Sequence, residues 1–464
     1  MTHNLNDRLE SDSLGAIAVP TAALYGPQTA RAVENFRITG RSVGAIPDLV
    51  RSMAWVKKAA AIVNMRSGEL PTDVANAIVA ACDEIISGKF HEEFVVDQFQ
   101  GGAGTSTNMN ANEVIANRAI EHLGGSRGDY RLVHPIDHVN RSQSTNDAYA
   151  TAVRLAACTM VEELLPAIKL VVVEFRHKAS QYADVRKLAR TQLQDAVPIM
   201  AGMEFEAYAE TLLEDIERLR EMQRHLLEVN LGGTAVGTGV GARAAYRATI
   251  VQVLEEVSGL PVRNPLNPIE ATADMGAFVT LSGLLKRHAV KLSKICNDLR
   301  LLSSGPIGGI GEVVLPARQA GSSIMPGKVN PVIPEAVNQV CFKVIGNDLA
   351  ITFAAEAGQL QLNAFEPMII QSLHESISLL RAALTTLGTA CIRDLEVDER
   401  RCLEHLSRST ALAVLLAQYV GYDEAARLAK EALAAGEPFV SYLRETAASK
   451  PGVSDFLSAD VARV

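Results

Sequence analysis

A chain of 464 residues with 48% hydrophobic and 21% charged residues can bury a large core and has room for about three domains at the usual ~150 residues each. Its formal charge of -9 argues against nucleic acid or an anionic membrane surface as the main partner, so any anionic substrate must be captured by a local cluster. No run of about 18 uncharged apolar residues marks a membrane span, and the polar start from Met1 to Gly15 lacks a basic-then-apolar signal pattern, which makes the cytoplasm the expected location.

The first informative segment is Gly101-Gly102-Ala103-Gly104-Thr105-Ser106-Thr107-Asn108-Met109-Asn110, a glycine-rich run passing into hydroxyls and amides. It can aim donors at an anion or simply cap a helix. Turn residues follow at Gly124-Gly125. His134 and His138 are four apart, but Pro135 lies between them and no matching acid follows, so they do not read as a metal pair. Asn140 to Asp147 places six neutral polar residues and two charges before an apolar stretch that opens at Ala148. One N-cap accounts for one or two of these, not for all.

Thr191-Gln192-Leu193-Gln194-Asp195-Ala196-Val197-Pro198 puts a hydroxyl, amides and a carboxylate ahead of a helix expected to start at Pro198. Phe205, Tyr208, Leu212, Ile216, Leu219, Met222 and Leu226 then recur every three or four positions, the mark of a long amphipathic helix. Turn residues fill Asn230 to Gly241. Within them Gly237-Thr238-Gly239-Val240-Gly241 follows a helix rather than a strand, which removes the usual dinucleotide-binding context. A second helical seam runs Leu281, Leu285, His288, Leu292, Ile295, Leu299 and Leu302, and Gly305-Pro306 ends it.

The most informative segment is Gly321-Ser322-Ser323-Ile324-Met325-Pro326-Gly327-Lys328-Val329-Asn330-Pro331. Glycines and prolines set an unusual backbone path on which two hydroxyls, an ammonium and a carboxamide can be aimed at an anion. A phosphate loop does not fit, because five residues separate Gly321 from Gly327, and Val329 follows Lys328 where a Ser or Thr is needed. Beyond it, Glu335 to Ala357 is apolar on every face, so it must be buried all round, which points to neighbouring subunits. Charge returns at Arg393 to Asp398. These signals give a mainly α fold with three parts: 1–140 mixed helical, 141–395 a long-helix bundle, and 396–464 a small helical domain. The six cysteines lie far apart in apolar segments and read as buried thiols.

Together these segments resemble the aspartase/fumarase superfamily. Its signature loop G-S-S-x-M-P-x-K-x-N-P is complete at Gly321 to Pro331, and Thr105 to Asn112, Ser142 to Asp147 and Thr191 to Pro198 stand in the family's order and approximate spacing. The resemblance implies an all-α homotetramer with three domains per subunit, a shared core of long helices, and active sites built by three subunits. Gln192 stands where fumarases carry a histidine in T-H-[LM]-Q-D-A; it resembles the aspartase branch, as do Ser144 to Tyr149 and Gly358 to Pro367. Ala150 in place of a usual proline and Ile136 in place of an asparagine depart from the pattern, and from about Ala411 the likeness is loose.

What this implies is reversible elimination of ammonia from L-aspartate to give fumarate through an enediolate. By the resemblance Ser322 is the base, while Lys328 and Asn330 hold the substrate carboxylates and the enediolate. Thr105, Ser144, Thr145, Asn146, Thr191 and Gln192 would position the amino group and the second carboxylate, with Ser323 and Glu335 in support. An ammonium substrate suits neutral oxygen acceptors such as the amides of Gln192 and Asn146 and the hydroxyl of Thr145. The chemistry needs no cofactor and no catalytic metal, which leaves a divalent cation open as an activator. A class II fumarate hydratase, a lyase for an N-substituted aspartate and a catalytically silent structural relative are the alternatives.

Overall fold

A computed structural model describes residues 7–459. Among the described residues the chain is helical, punctuated by three two-stranded antiparallel pairings. It opens with β1 (Asp7–Asp12) and β2 (Gly15–Pro20), paired from Asp7 opposite Pro20 to Asp12 opposite Gly15. Helices α1 (Pro27–Asn35), α2 (Pro47–Arg66), α3 (Thr72–Ile86), α4 (Thr105–His122) and α5 (Thr145–Gln181) follow. The second hairpin, β3 (Arg186–Thr191) and β4 (Gln194–Met200), precedes α6 (Ala201–Leu226), α7 (Ala244–Ser258), α8 (Pro268–Ala273) and α9 (Gly276–Leu302). Next come β5 (Val313–Val314), α10 (Val332–Glu356), α11 (Glu366–Leu387) and β6 (Glu396–Val397), which pairs back with β5. The chain closes with α12 (Glu399–Arg408), α13 (Ala413–Val420), α14 (Tyr422–Ala435), α15 (Phe439–Thr446) and α16 (Val453–Ser458).

The chain forms two compact units. The first comprises residues 7–165, 217–287 and 343–379. Here α2 packs on α3 and α7, and α3 on α4, burying Leu49, Val50, Met53, Val56, Ile78, Ile85 and Val114 completely. Apolar burial at ~25 cal/mol per Å2 is the main term holding such a layer together. Buried Glu113 of α4 accepts backbone N–H groups of Gly26, Gln28 and Thr29 at 2.9, 2.8 and 3.1 Å, satisfying the open donors at the start of α1. Burial pushes its carboxyl up to about 7 against those bonds.

The second unit comprises residues 166–216, 288–342 and 380–459. In it β3 lies against α12, with Leu188, Leu406 and Ala411 in a small buried cluster. Helices α13 to α16 close around Leu416, Leu428, Phe439, Leu443 and Phe456.

Both long seams read from the sequence are helices, within α6 and α9, and all six cysteines are buried free thiols. One local expectation changes. Pro198 does not start a helix: it lies on β4 opposite Leu188, and α6 begins at Ala201. A proline fits a strand at an edge as well as it fits a helix start. The apolar stretch from Ala148 lies in α5, which begins at Thr145. The all-apolar segment is helical as far as Glu356, and its own chain leaves Phe342, Leu349 and Phe353 61%, 58% and 63% exposed. No helix among the described residues is long and apolar enough to cross a membrane.

Candidate active site

The expected site residues divide between the units. Thr105, Ser144, Thr145 and Asn146 lie in the first; Thr191, Gln192, Ser322, Ser323, Lys328, Asn330 and Glu335 lie in the second.

In the first unit a close helix approach brings the polar starts of α4 and α5 together. Gly104 has φ +85°, and a Cβ there would stand 2.2 Å from the ring of Tyr149, so only glycine lets α4 begin against α5. Thr105 is the first residue of α4 and donates its hydroxyl to Gly102 O at 2.6 Å. At the start of α5, Ser144 and Asp147 form a capping box. Ser144 Oγ accepts the N–H of Asn146 at 3.2 Å, and Asp147 Oδ1 accepts that of Ser144 at 2.9 Å.

The other carboxylate oxygen of Asp147 reaches the glycine-rich stretch and accepts Gly232 and Thr234 N–H at 3.1 and 2.9 Å. Burial pushes this carboxyl up to about 6 despite the three bonds. Asn146 Nδ2 donates to Ala235 O at 2.8 Å, and Asn230 Nδ2 donates to Asn146 O at 3.1 Å, which fixes the Asn146 side chain along the same stretch.

Beneath this polar floor lies Lys57 of α2, fully buried. Its ammonium donates to Asn108 Oδ1 at 2.6 Å, Asn140 Oδ1 at 2.9 Å and Gln143 Oε1 at 2.9 Å. Burial pushes its pKa down to about 7 against the pull of the Asp147 charge. Asn108 Nδ2 in turn donates to Thr145 Oγ1 at 3.1 Å.

In the second unit the β3–β4 turn is Gln192-Leu193, with Thr191 paired to Gln194. Both turn residues have positive φ, +54° and +62°, which matches the right-handed twist of a two-residue hairpin but is costly for non-glycine residues. Gln192 is thereby held at an exposed tip.

The signature loop is closed on itself. Gly321 N–H donates to Lys328 O at 2.9 Å, and Asn330 Nδ2 donates to Gly321 O at 2.9 Å. A Cβ on Gly321 would stand 2.5 Å from Lys328 O, so this closure requires glycine. Inside the loop Ser322 Oγ accepts backbone N–H from Ile324 at 3.2 Å and from Met325 at 2.9 Å. Ser323 and Lys328 are exposed, and Glu335 lies in the first turn of α10, 4.0 Å from Arg300.

A family model described as lyase matches residues 15–346. Aspartate ammonia-lyase of Pseudomonas aeruginosa is 54% identical over 441 residues, covering 95% of this chain and 93% of its own length. The chain belongs to this lyase family. The aspartate ammonia-lyase of Escherichia coli is 50% identical over 90% of this chain and 87% of its own length. Among solved structures, the family member described as fumarate lyase:delta crystallin from Brucella melitensis, bound to cobalt, has a TM-score of 0.95 at 53% identity, covering 98% of this chain and 99% of that one. The class II fumarase of Schistosoma mansoni has the same fold, TM-score 0.90, at only 34% identity, covering 95% of each chain.

For this lyase the residues that sequence reasoning did not single out are Lys57 and its amide partners. Lys57 and Lys58 are consecutive on a helix whose flanks, Met53 to Val56 and Ala59 to Val63, are apolar, so at most one of them can face solvent freely. That pairing was the available signal. Asn108, Asn140 and Gln143 stand in the polar segments already noted, but nothing in their spacing shows that they converge on one ammonium. Of the two departures from the family pattern, Ala150 is buried within α5 and Ile136 is 44% exposed.

Proposed function

We propose that this lyase is an aspartate ammonia-lyase, acting reversibly in the cytoplasm on the small dicarboxylate L-aspartate to give fumarate and ammonia. Its extensive identity to aspartate ammonia-lyases and the neutral Gln192 support the choice of substrate. The observation that carries the mechanism is the Ser322 hydroxyl, whose oxygen receives two backbone N–H bonds within a loop that also bears Lys328 and Asn330. A serine is too weak an acid to act as a base unless donors stabilise its oxyanion, and preorganised backbone donors do that.

In this reading the Ser322 alkoxide takes a proton from the carbon next to one carboxylate, and the electron pair left behind spreads into that carboxylate as an enediolate. Lys328 and Asn330 hold the developing charge. The pair then forms the carbon–carbon double bond as the C–N bond breaks, and nitrogen leaves with its electrons as ammonia. Thr105, Ser144, Thr145, Asn146, Thr191 and Gln192 hold the amino group and the second carboxylate, and Ser323 and Glu335 support the loop. The sequence of steps uses protein groups alone, and a divalent cation would act at most as an activator.

The assembly proposed is a homotetramer with sites completed by three subunits. The exposed apolar residues Phe342, Leu349 and Phe353 of α10 support it, since burying each contributes about 1.5–3 kcal/mol. The deciding assay follows fumarate absorbance from purified protein given L-aspartate or L-malate. Fumarate from aspartate alone is expected. Preference for malate would make the protein a hydratase, and silence on both would point to a substituted aspartate.

A further inference from the structure

We propose that Lys57 is a positioning residue that, through Asn108, sets the hydroxyl of Thr145 as a donor toward a substrate carboxylate. The inference rests on the proposed function and adds a residue that never touches substrate.

Three amide oxygens surround Lys57 Nζ at 2.6, 2.9 and 2.9 Å, the set that an ammonium takes, since it has three donors and no acceptor. With Asn108 Oδ1 held at 2.6 Å, the NH2 of Asn108 points away and donates to Thr145 Oγ1 at 3.1 Å. It also donates to Asn140 Oδ1 at 3.1 Å, and Asn112 Nδ2 reaches the same oxygen at 3.2 Å, so the amides interlock. Gln143 follows the same rule: its oxygen faces Lys57 at 2.9 Å and its Nε2 donates to Val139 O at 3.0 Å. Reversing any one amide would set donor against donor. The polarity is therefore fixed from the ammonium outward.

Thr145 is the last member of this chain. Its oxygen receives a hydrogen bond from beneath, which occupies one of its two lone pairs and leaves its hydrogen free to be donated to an anion. In the proposed arrangement that hydrogen serves a carboxylate, in place of the acceptor role suggested by residue type alone. Burying an ammonium is costly, and an apolar side chain of similar volume would pack there without that penalty. A lysine is justified at this place by the direction it imposes.

The amination direction separates the two assignments, because fumarate and ammonium are distinct substrates with separate KM values. The variants are Thr145→Val, Asn108→Asp and Lys57→Met. Asp in place of Asn108 still pairs with Lys57 but offers only acceptors, which forces the Thr145 hydroxyl to donate backward. Loss of a hydrogen bond to a charged group corresponds to about tenfold or more in affinity. Each variant is expected to raise KM for fumarate by that factor and to leave KM for ammonium within about twofold. Adding Thr145→Val to either of the others should cost nothing further, as members of one chain are not additive.

If Thr145→Val raises KM for fumarate while Asn108→Asp and Lys57→Met do not, the inference fails and the function stands. A rise in KM for ammonium, or an equal loss on both substrates, also overturns it, the latter marking Lys57 as merely structural. Should Lys57→Met not fold, Asn108→Asp decides alone. Absence of amination by the unmodified protein removes the proposed function and the inference with it.

Discussion

Glu312 receives both terminal nitrogens of Arg190, Nη2 on Oε1 at 2.7 Å and Nη1 on Oε2 at 3.0 Å. The carboxylate is fully buried, with Lys187 Nζ at 3.3 Å and His405 Nδ1 at 2.7 Å as further partners. Burial alone would raise its pKa, but the bonds from Arg190 and His405 and the charge of Lys187 outweigh it and hold the group below the usual range. Arg190 is the residue before Thr191, so this pair anchors the strand that ends in the Gln192 turn. Glu312→Gln leaves Arg190 without its countercharge, while Lys187 keeps Glu204 at 2.6 Å, and is expected to destabilise the protein by about 3 kcal/mol. A thermal melt should show a clear drop, together with a fall in kcat/KM for aspartate; an unchanged melt would contradict the anchoring role.

Ser322→Ala tests the base. A general base contributes about 10^2–10^4-fold, so turnover of aspartate should fall by at least that range. The hydroxyl also caps two N–H groups, a contribution of about 1 kcal/mol, so the fold should survive. Circular dichroism beside the fumarate assay separates the two effects, and retained turnover would remove Ser322 from the role.

Glu366, buried at the start of α11, is the clearest source of pH-dependent stability. Burial pushes its carboxyl from the ordinary 4.5 up to about 8, with the Arg154 charge opposing only in part. Below 4.5 both folded and unfolded chains hold the proton, and the group's contribution is fully present. Between 4.5 and about 8 the unfolded chain ionises first, so that contribution is lost as pH rises. Glu366→Gln removes this dependence. Its melting temperature relative to the unmodified protein should therefore improve from about pH 5 to about pH 9. Parallel curves across that range would refute the assignment.

Phe353, 63% exposed on α10, is the place to test assembly. Phe353→Asp puts a charge where the proposed tetramer needs an apolar contact, and symmetry repeats it in every subunit. Light scattering should give a mass below that of four chains, with activity lost in proportion. A full-mass, fully active variant would place the subunit contact elsewhere.

The sequence made the long elements legible because their periodicity is unbroken: Phe205 to Leu226 and Leu281 to Leu302 both lie within observed helices. The Gly321 to Pro331 loop was legible for a different reason, since its glycines and prolines have few other uses. The β3–β4 hairpin was not. Its turn is Gln-Leu where an Asn-Gly pair would have announced it, and Pro198 imitates a helix start. Lys57 was hidden for a third reason: convergence of Asn108, Asn140 and Gln143 on one ammonium is a property of packing across segments, and no local pattern records it.

Six buried thiols give the molecule a built-in reporter of its own opening. Burial raises the pKa of Cys158 to about 11 and those of Cys341, Cys391 and Cys402 to about 12, and raises Cys82 and Cys296 as well, so in the closed state all are slow nucleophiles. An alkylating reagent then reacts at the rate at which each site is uncovered. Cys82 and Cys158 lie in the first unit and the other four in the second, so the order in which mass spectrometry finds them labelled is the order in which each unit opens within itself.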